Sequence, residues 1–216
     1  IGLPTLLLFS KQNFNTLGID INKKLISNII DYKNYSTEKN IKKLLSEIIK
    51  KKNFTLSNNY KLAKNYSTYI ICVPTPILRN KNRIKPDLSH LMKVIHELKK
   101  IIKKNDTVII ESTVPVGTTD KVKEILLNNK FNEIDINIAY CPERVLPGNM
   151  LAELKSNDRI IGGINSKSNS IINKLYKSFV NGNIYLTNPK TAEMIKLSEN
   201  SFRDVNIAFA NEISLI

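Results

Sequence analysis

Short runs rich in β-branched and other apolar residues recur along the chain: TLGIDI (16–21), YIICVP (69–74), TVIIES (107–112), INIAYCP (136–142), RIIGGI (159–164) and NIYLTN (183–188). They predict strands, and several are apolar on both faces, as in a sheet covered by helices on each side. Amphipathic patterns with helical spacing lie between them, near 4–14, 22–31, 39–51, 87–104, 117–129 and 166–180. The alternation predicts a doubly wound α/β domain. Residues 33–66, rich in Lys, Asn and Ser, are the most weakly patterned region.

The last segment differs in length. Asn188 and Pro189 form a good cap and first-turn pair, and neither Pro nor Gly interrupts the pattern from there to Ile216. About 28 helical residues would span roughly 40 Å. A helix of that length is too long for a crossover in a compact sheet, so it is expected to leave a first domain (1–187) and open a second (188–216). At about 100° per residue, Lys196, Asn200 and Arg203 fall on one polar stripe. A lysine and an amide placed together suit proton relay from an alcohol and stabilisation of an oxyanion. The chain starts at Ile1 without a Met and stops on an apolar ISLI. Both edges are expected to be cut ends.

Composition narrows the class. With 216 residues and 42% apolar content, the chain can fill one large domain or one domain and part of another. Its net charge of +14 would ordinarily suggest a polyanion partner. The lysines, however, are spread among Asn and Ile as an AT-rich genome favours, without the interleaved aromatics of a single-strand platform. Nucleic-acid binding is therefore a minor alternative, and none is expected. No apolar run reaches the roughly 20 residues that cross a bilayer, and the start lacks a basic leader, which predicts a soluble, cytoplasmic protein. Cys72 and Cys141 lie in apolar runs, so a disulfide framework and a Cys-rich metal site are both excluded. His90 and His96, six apart on a helical pattern, face different ways and argue against a zinc site.

Several motifs stand where strands end. IGLPT followed by LLLF reads as the tail of a glycine-rich turn entering a helix, with Ile1 and Gly2 at its mouth. Asp20 closes TLGID 18 residues after Gly2, where a carboxylate meets adenosine ribose hydroxyls and favours NAD over NADP; a plain turn residue is the alternative. Thr75 in CVPTP and Thr113 in ESTVPVGTT follow apolar strands, where ligands bind in open α/β sheets. Gly117, Thr118 and Thr119 would open a helix with amides free for an anion. In YCPERVLPG, Glu143 and Arg144 are suited to orienting a water and gripping a phosphate or acyl oxygen, with a surface salt bridge as the alternative. Cys141 is expected to be a small buried hydrophobe rather than a nucleophile.

Taken in order, IGLPT, GIDIN, VPTP, EST-PVG, NIAYCPERVLPG, DRIIGG and TAEMIKLSENSFRDVNIAFANE resemble the UDP-glucose/GDP-mannose dehydrogenase family over nearly the whole chain. The resemblance implies a Rossmann-like doubly wound parallel sheet, here with its first strand missing, followed by the start of a long central helix that helps form a homodimer. It implies a four-electron oxidation of a nucleotide sugar at C6 by two NAD, through a cysteine thioester. Ile1, Gly2, Asp20, Thr75 and Thr113 would contact NAD. Lys196 would move the proton, Asn200 would hold the oxyanion, and Glu143, with Thr113 nearby, would orient the hydrolytic water. Arg144, Val145, Lys196, Asn200 and Arg203 would line the sugar-nucleotide site, with no metal. Pro147 stands where glucose-oxidising members carry an acidic residue, which favours a 2-acetamido sugar, UDP-N-acetyl-D-mannosamine, a precursor of surface polysaccharide. Most of the glycine-rich turn and the family's GGHC-like cysteine segment lie outside these residues. These 216 residues alone are thus expected not to turn over. A non-catalytic remnant and a related UDP-sugar 6-dehydrogenase are the alternatives.

Overall fold

The computed structural model describes residues 1–33, 36, 38–80, 83–127, 131–146 and 148–215. The elements follow the predicted alternation: α1 (Gly2–Lys11), β1 (Thr16–Ile19), α2 (Lys23–Ile30), α3 (Lys39–Ile48), β2 (Phe54–Ser57) and a 3-10 turn (Tyr60–Asn65). Next come β3 (Thr68–Ile71), the hairpin β4 (Ile77–Asn80) and β5 (Arg83–Pro86), α4 (Ser89–Ile101), β6 (Thr107–Ile110), α5 (Thr118–Leu127) and β7 (Asn137–Tyr140). The chain closes with α6 (Met150–Ser156), β8 (Arg159–Gly163), α7 (Ser166–Tyr176), β9 (Ile184–Thr187) and α8 (Pro189–Ile213).

Five strands form one sheet in the order β3-β6-β7-β8-β9, while β1 and β2 pair parallel to each other in a second. β3, β6 and β7 run parallel, and β8 meets β7 antiparallel before pairing parallel with β9. The sheet is therefore parallel at its centre and reversed at one edge. Helices cover both faces. α1, α3 and α7 pack against one side around Leu7, Leu8, Leu45 and Tyr176, and α4 and α5 against the other around Leu91, Ile95, Val122 and Leu126. All four residues of β6 and of β7 are buried, as predicted for strands apolar on both faces.

Two close packings of helix on strand depend on glycine. A Cβ on Gly18 would come within 2.7 Å of both Leu6 and Leu56, so α1 lies directly on β1. A Cβ on Gly162 would come within 2.6 Å of the Asn188 carbonyl and 2.7 Å of Ala192, so the first turn of α8 lies directly on β8. Asn188 caps α8 by accepting from the Thr191 amide at 3.0 Å.

Some elements had no sequence prediction. β2 falls in the weakly patterned region, the β4–β5 hairpin follows VPTP where a plain loop is expected, and α6 is only seven residues long. These strands match the predicted β6 in length but lie outside any continuous apolar run, and two helical turns of α6 carry too few periods to signal themselves.

Candidate functional site

The functional motifs meet beyond the carboxyl ends of β3, β6 and β7. Ile1 and Gly2 open α1, whose N-cap carries no side-chain hydrogen bond. A Cβ on Gly2 would meet Cys72, just after β3, at 3.5 Å. Thr75 donates its hydroxyl to the Thr113 carbonyl at 2.7 Å, and Ser112 donates to the Val73 carbonyl at 2.8 Å. The segments after β3 and β6 are thus tied to each other beside the start of α1. Asp20 accepts from the Asn22 amide at 2.8 Å through Oδ1. That oxygen makes the turn into α2, and the other is not engaged by any described residue.

An uncapped helix start, two hydroxyls at neighbouring strand ends and a carboxylate with one open oxygen fit a dinucleotide: first-turn amides suit a pyrophosphate, and the carboxylate a ribose. The amides at Gly117 and Thr119 do not contribute. Glu193, fully buried on α8, accepts from the Gly117 amide at 2.6 Å and from the Thr119 amide and hydroxyl at 2.8 and 2.6 Å. The expectation that these amides are free for an anion is therefore corrected. An internal carboxylate caps α5 and pins α8 to it.

The loop after β7 is held from three sides. Glu38, itself buried, accepts from the Gly148 and Met150 amides at 2.7 and 3.1 Å, and Glu153 accepts from the Leu146 amide at 2.8 Å. On the other side α8 makes two charged rungs with consecutive loop residues. Lys196, only 6% exposed, donates to the Glu143 carbonyl and stands 3.4 Å from its Oε1. Arg144 forks onto Glu199, with Nε 3.0 Å from Oε2 and Nη2 on Oε1, and donates from Nη1 to the Asp158 carbonyl at 3.2 Å. Glu143 and Arg144 accordingly pair with the helix rather than with each other. Asn200 and Arg203 continue the same stripe, Arg203 Nη2 donating to Asn200 Oδ1 at 3.0 Å. Val145 is half-buried in the loop and packs on the core beside Met150. Pro147 lies outside the described residues.

Below this rim lies a charge cluster that motif-level reading does not find. Glu111, one residue past β6 and fully buried, accepts from Tyr176 at 2.7 Å, Arg159 at 3.1 Å, Cys72 at 3.2 Å and Thr5 at 3.3 Å. Arg159 stacks 4.5 Å from the Tyr176 ring centroid and touches the Cys141 sulfur at 3.7 Å. Burial pushes the Cys141 thiol up to about 11, and burial together with Glu111 raises Cys72 well above its ordinary range. Neither is a poised nucleophile, which agrees with the reading of Cys141 as a buried hydrophobe. Two signals for this cluster were present. Glu111 directly follows β6 and Arg159 opens β8, both strands buried throughout, and a charge set there must find a buried partner.

A family model described as "UDP-glucose/GDP-mannose dehydrogenase family, NAD binding domain" matches residues 1–180, and the same family's central domain matches 190–216. A UDP-N-acetyl-D-mannosamine dehydrogenase of Methanocaldococcus jannaschii is 44% identical over the whole chain, which covers 49% of that relative. An NDP-N-acetyl-D-galactosaminuronic acid dehydrogenase of Ralstonia nicotianae is 38% identical, with 100% of this chain and 52% of the relative covered. The solved UDP-D-ManNAc dehydrogenase of Pyrococcus horikoshii superposes with a TM-score of 0.94 at 40% identity, over 100% of this chain and 51% of the other. The chain spans about half the length of the curated relatives it matches.

Proposed function

The chain belongs to the UDP-glucose/GDP-mannose dehydrogenase family, and from that premise we propose that the whole protein oxidises UDP-N-acetyl-D-mannosamine at C6 to UDP-N-acetyl-D-mannosaminuronate. The observation that carries this reading is the buried Lys196 against Glu143, one helical turn before Asn200, above a cofactor-binding sheet edge. Ile1, Gly2, Asp20, Thr75 and Thr113 would hold NAD, which would supply the hydride acceptor for each of the two successive two-electron oxidations, alcohol to aldehyde and thiohemiacetal to thioester, two NAD per turnover. Lys196 takes the hydroxyl proton from C6 as the alcohol becomes an aldehyde. Asn200, its carbonyl oxygen engaged by Arg203, keeps its amide N–H groups for the developing oxyanion. Glu143 orients the water that releases the acid from a cysteine thioester, the cysteine lying outside these residues. Arg144, Val145 and Arg203 line the sugar-nucleotide side.

This reading divides the chain at 187/188 into an NAD-binding domain and the start of a central helical domain. Past Lys196, α8 leaves the core with Phe202 73% exposed and Val205, Phe209 and Ile213 also bare. That face supports a homodimer through the helix. Among the described residues no helix is long and apolar enough to cross a membrane. The reaction is assigned to the cytoplasm, where nucleotide sugars and NAD are available. Lysines dispersed without interleaved aromatics favour no nucleic-acid partner.

A second reading, a related N-acetylated sugar substrate, is favoured by the name of the Ralstonia relative. The test follows NADH formation by the whole protein with UDP-N-acetyl-D-mannosamine, UDP-N-acetyl-D-galactosamine and UDP-glucose. The mannosamine sugar is expected to give the highest kcat/KM; preference for the galactosamine sugar would establish the second reading, and no NADH from any of them would indicate a non-catalytic remnant.

A further inference from the structure

Resting on that reading, we infer that Glu199 is a positioning residue that turns Arg144 into a fixed, charge-neutralised donor for the N-acyl carbonyl of the sugar, rather than a clamp for its phosphates. Arg144 has five N–H donors in a rigid fork. Two go to the Glu199 carboxylate and one to the Asp158 carbonyl, which leaves one on each terminal nitrogen. Its backbone is fixed as well, since the Arg144 carbonyl accepts from the Asn157 amide group at 2.6 Å. The guanidinium is therefore held from both ends while its side chain stays 31% exposed, open to a ligand.

Charge decides what that ligand is. Glu143, Lys196, Arg144 and Glu199 form two adjacent rungs with no net charge. A pyrophosphate brought against them would gain little attraction and would face two carboxylates. A neutral carbonyl oxygen loses nothing there and accepts the two remaining N–H groups in the geometry the fork offers. Arg203 provides the contrast. Among the described residues it makes no ion pair, only the hydrogen bond to Asn200, so its charge remains available to an anion. Arg144 adjoins Glu143 and Lys196, where the sugar ring must lie for C6 to react, and this places an acyl substituent of that ring within its reach. Discrimination of this kind is large when the site's own polar groups would otherwise be left unpaired.

The experiment is steady-state kinetics of the whole protein with UDP-N-acetyl-D-mannosamine and with UDP-D-mannose, which carries a hydroxyl in place of the acetamido group. Glu199→Ala is expected to raise KM for the acetamido sugar about tenfold with kcat within about twofold, the loss of one charge-assisted positioning contact. KM for UDP-D-mannose is expected to change by less than about twofold, because the contact that Glu199 organises is absent from that sugar. Glu199→Asp should recover part of the loss. An unchanged thermal midpoint would show that the variant folds, as expected for a side chain 34% exposed. Equal KM shifts for both sugars, or a fall in kcat alone, would overturn the assignment of Glu199 while leaving the dehydrogenase reading intact. No NADH from either sugar with the unaltered protein would overturn that reading and this inference with it.

Discussion

The molecule contains two charge arrangements built from the same residue types, one below the sheet's carboxyl edge and one above it. Below, Glu111 and Arg159 are sealed in, 0% and 4% exposed, and the partners of Glu111 lie on α1, β8 and α7 and just past β3. Above, Lys196–Glu143 and Arg144–Glu199 join the loop after β7 to α8. Burial separates their roles. A sealed pair offers no group to a ligand and serves to hold α1, β3, β6, β8 and α7 in one geometry. The Arg144–Glu199 rung, 31% and 34% exposed, contributes less to holding the fold and leaves donors at the surface, whereas the Lys196 amine is itself buried and reaches the edge of the site only at Glu143.

Breaking the sealed pair is expected to have the largest effect on stability. Arg159→Met leaves the Glu111 carboxylate buried without its charge partner and should cost about 3–5 kcal/mol in urea unfolding, where Arg144→Met should cost about 1 kcal/mol or less. Comparable losses for the two would erase the distinction drawn between them. Next comes the link between the regions. Glu193→Ala uncaps α5 and frees α8, stranding the buried Thr119 amide and hydroxyl and the part-buried Gly117 amide, and should cost about 2–3 kcal/mol in the same measurement. Retained stability would mean that α8 is held by Gly162 and Ala192 packing alone. The smallest stability effect belongs to the bare half of α8. Phe202→Ser should shift unfolding by less than about 0.5 kcal/mol, yet reduce the association that the proposed homodimer would show by light scattering. Unaltered association would locate the dimer contact elsewhere.

The upper arrangement was largely legible in the sequence and the lower one was not. Lys196, Asn200 and Arg203 share a helical stripe, and periodicity exposes such a stripe directly. Glu143 and Arg144 stand in a loop after an apolar strand, where chemistry is expected. Their partners were harder to see. Glu193 and Glu199 flank the Lys196 stripe on opposite sides, and only the tertiary structure shows that one caps α5 and the other grips Arg144. Glu111 and Arg159 are 48 residues apart and come together because β6 and β8 flank β7. No local pattern encodes that pairing. β2 and the β4–β5 hairpin were missed because their four residues stand outside any continuous apolar run and take their definition from a partner strand. The predicted strands are scarcely longer, but they sit in apolar runs between helical patterns, and the alternation and α8 repeat their patterns several times.

The division of labour between the two arrangements is tested most directly by the rate of NADH formation by Lys196→Met in the whole protein, measured with UDP-N-acetyl-D-mannosamine under saturating NAD. Removing the amine proposed to move the C6 proton should lower kcat by about a thousandfold, within the range for a general acid–base group, while NAD affinity stays close to that of the unaltered protein; the unfolding midpoint should fall, because Lys196 is buried and leaves the Glu143 carbonyl and carboxylate without their partner. A variant that keeps kcat within about threefold of the unaltered protein, well short of the loss expected for an acid–base group, would contradict the assignment of the open rungs to catalysis.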